Sequence, residues 1–311
     1  MNKFAVVFAG QGSQSVGMMK GLAEFPVVRA TFDEASAAVG ENLWAMLEEG
    51  PVERINQTVN TQPLMLVAGI ATWRAWRDQG GGQPMVFAGH SLGEYTALCA
   101  AGALSLSDAV RIVRMRARAM QESVPEGTGG IAAILGLDVD AVRAVCSEAS
   151  ESDVLEAVNL NSPNQVVIAG HRAAVERGMA LAKVRGAKRA LMLPMSVPSH
   201  CALMKPAAEQ LRVALENLPM LPPSIPVLQN ADVKAVDTAA DIKRALVEQL
   251  FRPVRWIETV EAFARLGVTQ VIECVPGKVL TGLNSRIDAR LNCLAVNDAD
   301  GLDAAIAATT S

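Results

Sequence analysis

The chain has 311 residues and a formal net charge of −4; half of the residues are hydrophobic and 4% are aromatic. That length can bury a large core in one or more domains, and the Ala, Val and Leu-rich composition suits an α/β enzyme with a buried parallel sheet. The charge, with no basic stripe, argues against a nucleic-acid partner. Five scattered cysteines (Cys99, Cys146, Cys201, Cys274 and Cys293) without a C-x-x-C pair argue against a disulfide framework or a zinc site and fit a reducing cytoplasm.

In chain order, the apolar run Phe4 to Ala9 reads as a first strand. It is too short for a signal peptide and breaks at once into Gly10-Gln11-Gly12-Ser13-Gln14. By spacing alone that loop is an ordinary βα turn. A dinucleotide fingerprint wants a third glycine where Ser15 stands, so a nucleotide-binding reading is weak. The longest charge-free stretch, Ile55 to Trp73, carries Asn56, Gln57, Asn60, Gln62 and Pro63. It is too polar to span a membrane.

Met85 to Ala88 reads as a buried strand and Glu94 to Ala103 as a helix. Between them lies Gly89-His90-Ser91-Leu92-Gly93. A serine flanked by glycines between a strand and a helix has the form of a nucleophile elbow. The turn is tight, so the residues two before and two after the serine must be small. Its sharpness lifts the Ser91 hydroxyl off the sheet, and the helix N-terminus points backbone N–H groups at a developing oxyanion. The next helical run, Ala109 to Gln121, carries Arg111, Arg114, Arg116 and Arg118. Spacing alone leaves any of the four facing solvent.

A smaller unit follows. Strand patterns at Gly130 to Leu135, Val154 to Leu160, Gln165 to Ala169 and Arg189 to Leu193 alternate with helices at Val139 to Ala149, where Asp138 is a candidate N-cap, and at His171 to Arg185. Asn161-Ser162-Pro163-Asn164 reads as a turn. The order β-α-β-β-α-β is the ferredoxin-like pattern. The expected architecture is therefore an α/β-hydrolase-like large domain with a parallel sheet, residues 1–127 and 197–311, and an inserted ferredoxin-like small domain, residues 128–196. The large domain resumes with strands near Pro226 to Gln229, Gln270 to Cys274 and Cys293 to Val296.

A serine nucleophile needs a base, and there are three histidines. His90 lies inside the elbow, where its side chain is expected to point away from the nucleophile. His171 opens a helix and reads as a solvated cap-region residue. His200 follows Ser196-Val197-Pro198-Ser199, where the small unit hands back to the large one and a cleft forms. His200 is the candidate general base by elimination. A third group must orient the imidazole. No acid between Ser91 and His200 announces itself, and a carbonyl oxygen is the other choice.

Several segments together resemble the malonyl-CoA:acyl carrier protein transacylase family. They are Gly10-Gln11-Gly12-Ser13-Gln14, Gly89 to Tyr95, Met115-Arg116, Asn161-Ser162-Pro163, Gln165 to Gly170, Pro198-Ser199-His200, Val247-Glu248-Gln249-Leu250 and Val275 to Leu280. The likeness runs from residue 3 to about residue 297. It implies Ser91 as nucleophile, His200 as base and Gln249 as the source of the carbonyl oxygen that holds His200. Gln11 and Leu92 would supply the oxyanion-hole N–H groups. Arg116 would grip the malonyl carboxylate, and Ser199 and Asn161 would contact substrate.

The resemblance further implies malonyl transfer from malonyl-CoA to the phosphopantetheine thiol of holo acyl carrier protein, supplying fatty-acid synthesis. It implies a monomer with no metal or cofactor. Since the family's carrier is acidic, Lys183, Arg185, Lys188 and Arg189 form the candidate docking patch. A free-standing acyltransferase of a polyketide synthase would use the same residues. A serine thioesterase shares the elbow and base but not the need for Arg116, and a non-catalytic docking subunit would not need Ser91 and His200.

Overall fold

The computed structural model describes residues 3–195, 197–274 and 276–310. Outside them lie Met1, Asn2, Ser311, the Ser196 that closes the expected small domain, and Val275 of the motif at 275–280. The described strands are β1 (Phe4–Phe8), β2 (Val86–Gly89), β3 (Gly129–Leu135), β4 (Leu155–Ser162), β5 (Gln165–His171), β6 (Arg189–Met192), β7 (Val227–Leu228), β8 (Gln270–Cys274) and β9 (Asn292–Val296).

The chain is a mixed α/β protein with a parallel sheet of order β7-β2-β1-β8-β9. Strands β1, β2 and β8 are buried at every position. This is why β1 and β2 read as continuous apolar runs rather than alternating ones, whereas β8 buries Gln270 and Glu273, the latter accepting the Leu280 and Thr281 N–H groups. Helices cover the sheet, among them Thr58–Asp78, which is buried along most of its length. That helix takes up most of the polar-dotted stretch from Ile55 to Trp73. No helix among the described residues is long and apolar enough to cross a membrane.

The second sheet is antiparallel, of order β4-β5-β3-β6. Its helices are Val139–Ser150, capped by Asp138 through a 2.8 Å bond from the Ala141 N–H, and Arg172–Val184. Strands β3 and β5 alternate. Ala132, Ile134, Val166 and Ile168 pack on the two helices. Ile131, Ala133, Val167 and Ala169 pack on the other face with Cys201, next to His200. The expected turn at 161–164 is shorter than its sequence suggests. Asn161 and Ser162 continue β4, and only Pro163 and Asn164 turn. The polar pair reads as loop from composition, yet Ser162 pairs with Gln165 across a two-residue hairpin. On its free edge β4 is stitched to the large part of the chain: Leu160 N–H donates to Val254 O and Val254 N–H to Val158 O.

Two loops meet at the carboxyl ends of adjacent strands, the region where open α/β sheets place ligands. The Gly10 turn leaves β1, and the Ser91 turn leaves β2. The His90 N–H donates to Phe8 O at 2.9 Å and locks one loop to the other.

Candidate active site

Ser91 has φ 52°, a left-handed conformation that a side chain seldom adopts. The glycines around it make that turn possible. A Cβ on Gly89 would stand 1.9 Å from the Gly93 carbonyl, and one on Gly93 would stand 2.1 Å from Phe8 O. The turn is held from outside by Asn230, whose Oδ1 accepts the Ser91 N–H at 2.7 Å and whose Nδ2 donates to Gly89 O at 2.6 Å. The N–H of Ser91 is thereby used up. The next one, on Leu92, has no protein acceptor among the described residues and opens the helix Gly93–Ala100.

His200 also has a left-handed backbone, φ 67°. Its Nε2 lies 2.7 Å from Ser91 Oγ and its Nδ1 lies 2.7 Å from Gln249 O. A carbonyl only accepts, so Nδ1 carries the proton and Nε2 is the acceptor for the serine hydroxyl. Gln249 ends the helix Ala239–Gln249. The last carbonyls of a helix have no partner within it, which frees this one for the imidazole. Burial, and then the charge of Arg116, push the His200 pKa down to about 3. The imidazole is therefore a neutral base at physiological pH.

Arg116 comes from the helix Leu106–Glu122 and is 1% exposed. Its Nη1 donates to Gln62 Oε1 at 2.8 Å; its Nη2 donates to Gln249 Oε1 at 3.0 Å and reaches Ser91 Oγ at 3.4 Å. It lies 5.4 Å from the Tyr95 ring centroid. Among the described residues no carboxylate pairs with it. A buried guanidinium held by neutral amides beside a serine hydroxyl suits recognition of a carboxylate. Arg111 and Arg118 are exposed, and Arg114 pairs with Glu41 at 2.5 Å.

Gln11, Leu92 and Ser199 line the same small cavity as Ser91, His200 and Arg116. The Gln11 backbone N–H, like that of Leu92, has no protein acceptor among the described residues. Asn161 does not line that cavity. It lines an adjoining one of about 290 Å³ that shares Gln11 and His90, and its Oδ1 lies 2.8 Å from His90 Nε2. His90 thus turns toward Asn161 rather than Ser91. His171 holds the N-cap position of its helix, with Nδ1 accepting from the Val154 N–H at 3.1 Å. Among the described residues no group of three or more His, Cys, Asp or Glu side chains could hold a metal ion.

Three further residues belong to this arrangement. Gln62 was visible only as a polar interruption of an apolar stretch. Glu94 stands inside the elbow motif but reads there as a helix start; it is fully buried, and burial pushes its carboxyl up to about 7. Asn230 gives no sequence signal, because its partners lie 136 to 141 positions away.

Residues 5–286 match the family described as acyl transferase domain. The malonyl CoA-acyl carrier protein transacylase of Salmonella typhimurium is 54% identical over 307 residues, covering 98% of this chain and 99% of that protein. The structure of the malonyl CoA-acyl carrier protein transacylase from Coxiella burnetii superposes with a TM-score of 0.99 at 44% identity, covering 100% of this chain and 98% of the other. A structure of a type II PKS acyl-carrier protein in complex with its malonyl-transacylase superposes with a TM-score of 0.97 at 51% identity, covering 99% and 100%. With a serine, a buried imidazole and a buried arginine converging at the elbow, and with likeness over essentially its whole length, the chain belongs to the acyl transferase family and, within it, to the malonyl CoA-acyl carrier protein transacylases.

Proposed function

We propose that this enzyme moves a malonyl group from malonyl-CoA to the phosphopantetheine thiol of an acyl carrier protein through an ester on Ser91. The observation that carries the reading is the placement of Ser91 Oγ between His200 Nε2 and Arg116 Nη2. Ser91 attacks the thioester carbonyl as its proton passes to His200 Nε2. The oxyanion is stabilised by the Gln11 and Leu92 N–H groups. As the carbonyl reforms, the C–S bond breaks and coenzyme A leaves with the proton from Nε2. The carrier thiol then gives its proton to Nε2, attacks the ester and releases Ser91. The imidazolium formed in each step is eased by Gln249 O and by the negative end of its helix. Arg116 holds the malonyl carboxylate throughout. Ser199 lies beside the acyl group, and Asn161 lies along the adjoining cavity. The chemistry requires no metal or redox cofactor.

We also read the parallel-sheet portion as an α/β-hydrolase-like domain, 1–127 with 197–311, and 128–196 as an inserted ferredoxin-like domain. The strand order β4-β5-β3-β6 with two helices on one face supports the second half of that reading. We read the active unit as a monomer. Five free cysteines fit the cytoplasm. Fatty-acid synthesis is the main setting; the resemblance to the type II PKS complex makes a polyketide carrier the second acceptor to test.

The test is the fate of the acyl group. Incubation with malonyl-CoA should add one malonyl group to the protein mass, and holo carrier should remove it as malonyl-carrier. Release mainly as free malonate would replace the transferase reading with a thioesterase.

For docking of an acidic carrier we propose the corner after the helix Arg172–Val184. Arg185 is tied to Glu148, while Lys183, Lys188 and Arg189 are exposed and make no ion pair among the described residues. Strand β6 runs from this corner toward Leu193 and Met195, which line the adjoining cavity. Lys183→Glu and Lys188→Glu should each raise the carrier KM roughly two- to fivefold, less at high salt, and spare malonyl-CoA. Unchanged carrier kinetics in both would move the dock elsewhere.

A further inference from the structure

We propose that Glu94 is a positioning residue for the transfer reaction, a single carboxylate oxygen that fixes nucleophile, base and carboxylate clamp relative to one another. The inference rests on the roles assigned above to Ser91, His200 and Arg116.

The Glu94 carboxylate hydrogen-bonds to none of the three, although the Glu94 backbone N–H donates to Ser91 O at 3.1 Å. Its Oε2 accepts from the Asn230 N–H at 2.8 Å and from Gln249 Nε2 at 3.0 Å. Asn230 is the residue that clamps the Ser91 turn. Gln249 does three things at once. Its backbone carbonyl holds His200 Nδ1, its side-chain Oε1 receives Arg116 Nη2, and its Nε2 also donates to Ser91 O at 2.9 Å. Glu94, Asn230, Gln249, Arg116 and His200 are buried, and Ser91 is half-buried.

The chemistry of the donors makes the choice of glutamate specific. Oε2 accepts from two N–H donors, so it carries no proton in either state of the carboxyl. It therefore obliges the Gln249 amide to turn its NH₂ inward, which turns Oε1 toward Arg116. The flipped amide would set an NH₂ donor against the guanidinium and leave the carboxylate facing an oxygen. Glu94 so decides which way the Gln249 amide faces, and through it where Arg116 points. The other oxygen, Oε1, has no hydrogen-bond partner among the described residues. A buried unpartnered oxygen is costly, and a residue serving only to fill the core would not need it.

The test compares Glu94→Ala, Glu94→Gln and Glu94→Asp, with Ser91→Ala as control. The readouts are the rate of malonyl-serine formation, the malonyl-to-acetyl ratio of kcat/KM, and far-UV circular dichroism with thermal melting. Glutamine keeps an acceptor oxygen at the same reach; aspartate keeps the charge but falls one methylene short. Glu94→Ala should slow acylation about 10- to 100-fold and lower the malonyl-to-acetyl ratio, since Arg116 loses its aim. Glu94→Gln should recover most of both, and Glu94→Asp should recover less than Glu94→Gln. A folded Glu94→Ala within twofold of wild type would overturn the proposal. So would equal losses in the alanine and glutamine variants with the ratio unchanged. If the alanine variant does not fold, the order of the other two decides: aspartate above glutamine assigns Glu94 a charge role only and sinks the positioning role. Labelling of Ser91→Ala would instead overturn the site assignment itself, whatever the Glu94 variants do.

Discussion

Ser91→Ala is expected to take up no malonyl group from malonyl-CoA, where the unsubstituted protein takes up one; intact-protein mass reads the difference directly. The substitution removes only the hydroxyl. Arg116 and the free N–H groups of Gln11 and Leu92 stay in place, so substrate still binds while no ester forms. Ser199 lines the same cavity, but its hydroxyl bonds to Val197 O at 3.5 Å and not to His200. Full labelling of the alanine variant would therefore remove Ser91 from the chemistry. His200→Ala should keep Ser91 labelling but slow both half-reactions about 10²–10⁴-fold, because one imidazole serves as base and then acid in each. The folded-state pKa of His200 is lowered from 6.5 to about 3. The base is thus present across pH 5–8, and a loss of rate through its protonation sets in only as pH falls toward 3. Stability follows the same sign. Between pH 6.5 and 3 the unfolded chain binds a proton at this residue that the folded chain does not, so His200 costs stability as pH falls through that window.

Arg116→Ala should reverse or collapse the preference for malonyl over acetyl. The malonate carboxylate would enter a buried site without its cation. Breaking a buried pair by removing one partner costs about 3–5 kcal/mol, which is roughly two to three and a half powers of ten in kcat/KM. Acetyl carries no charge, and its transfer should fall little or rise. The ratio is the decisive measurement. Disturbance of Gln62 and Gln249, which lose a donor when the arginine goes, lowers both substrates together and cancels. The arginine charge also helps hold the His200 pKa down, so the acid limb of acetyl transfer should move to higher pH in this variant. Equal loss of both substrates would make Arg116 a support of the fold.

The elements that local pattern determines were legible in the sequence. Strands β1 and β2 are short apolar runs that lead into glycine-containing turns, and burial on both faces is why they do not alternate. The elbow was legible because its five-residue pattern is local: Gly89 is required by atoms of its own loop, while the requirement for Gly93 comes from the Phe8 carbonyl of the neighbouring strand β1. The cap at Asp138 and the β-α-β-β-α-β order are likewise local. His200 could be picked because the chain offers three histidines and only this one lies at the return from the small unit. The roles of Gln249, Gln11 and Arg116 came from resemblance, since a helix with four arginines does not say which of them turns inward.

The tertiary structure alone decided the rest, for a physical reason that the site makes plain. A hydrogen bond between residues far apart in the chain leaves no periodic trace in composition or spacing. Asn230 reaches the Ser91 turn across 139 positions, and Gln62 reaches Arg116 across 54. Glu94 is an acidic residue in the first turn of a helix, which dipole considerations explain without any function. Only the fold shows that it is fully buried and holds the two residues that hold the site. The neutral state of His200 belongs to the same class: nothing in Pro198-Ser199-His200-Cys201 carries it. It arises because the imidazole is buried between the Ser91 turn and the end of the Gln249 helix, away from the water that would have stabilised its charge, and beside the charge of Arg116.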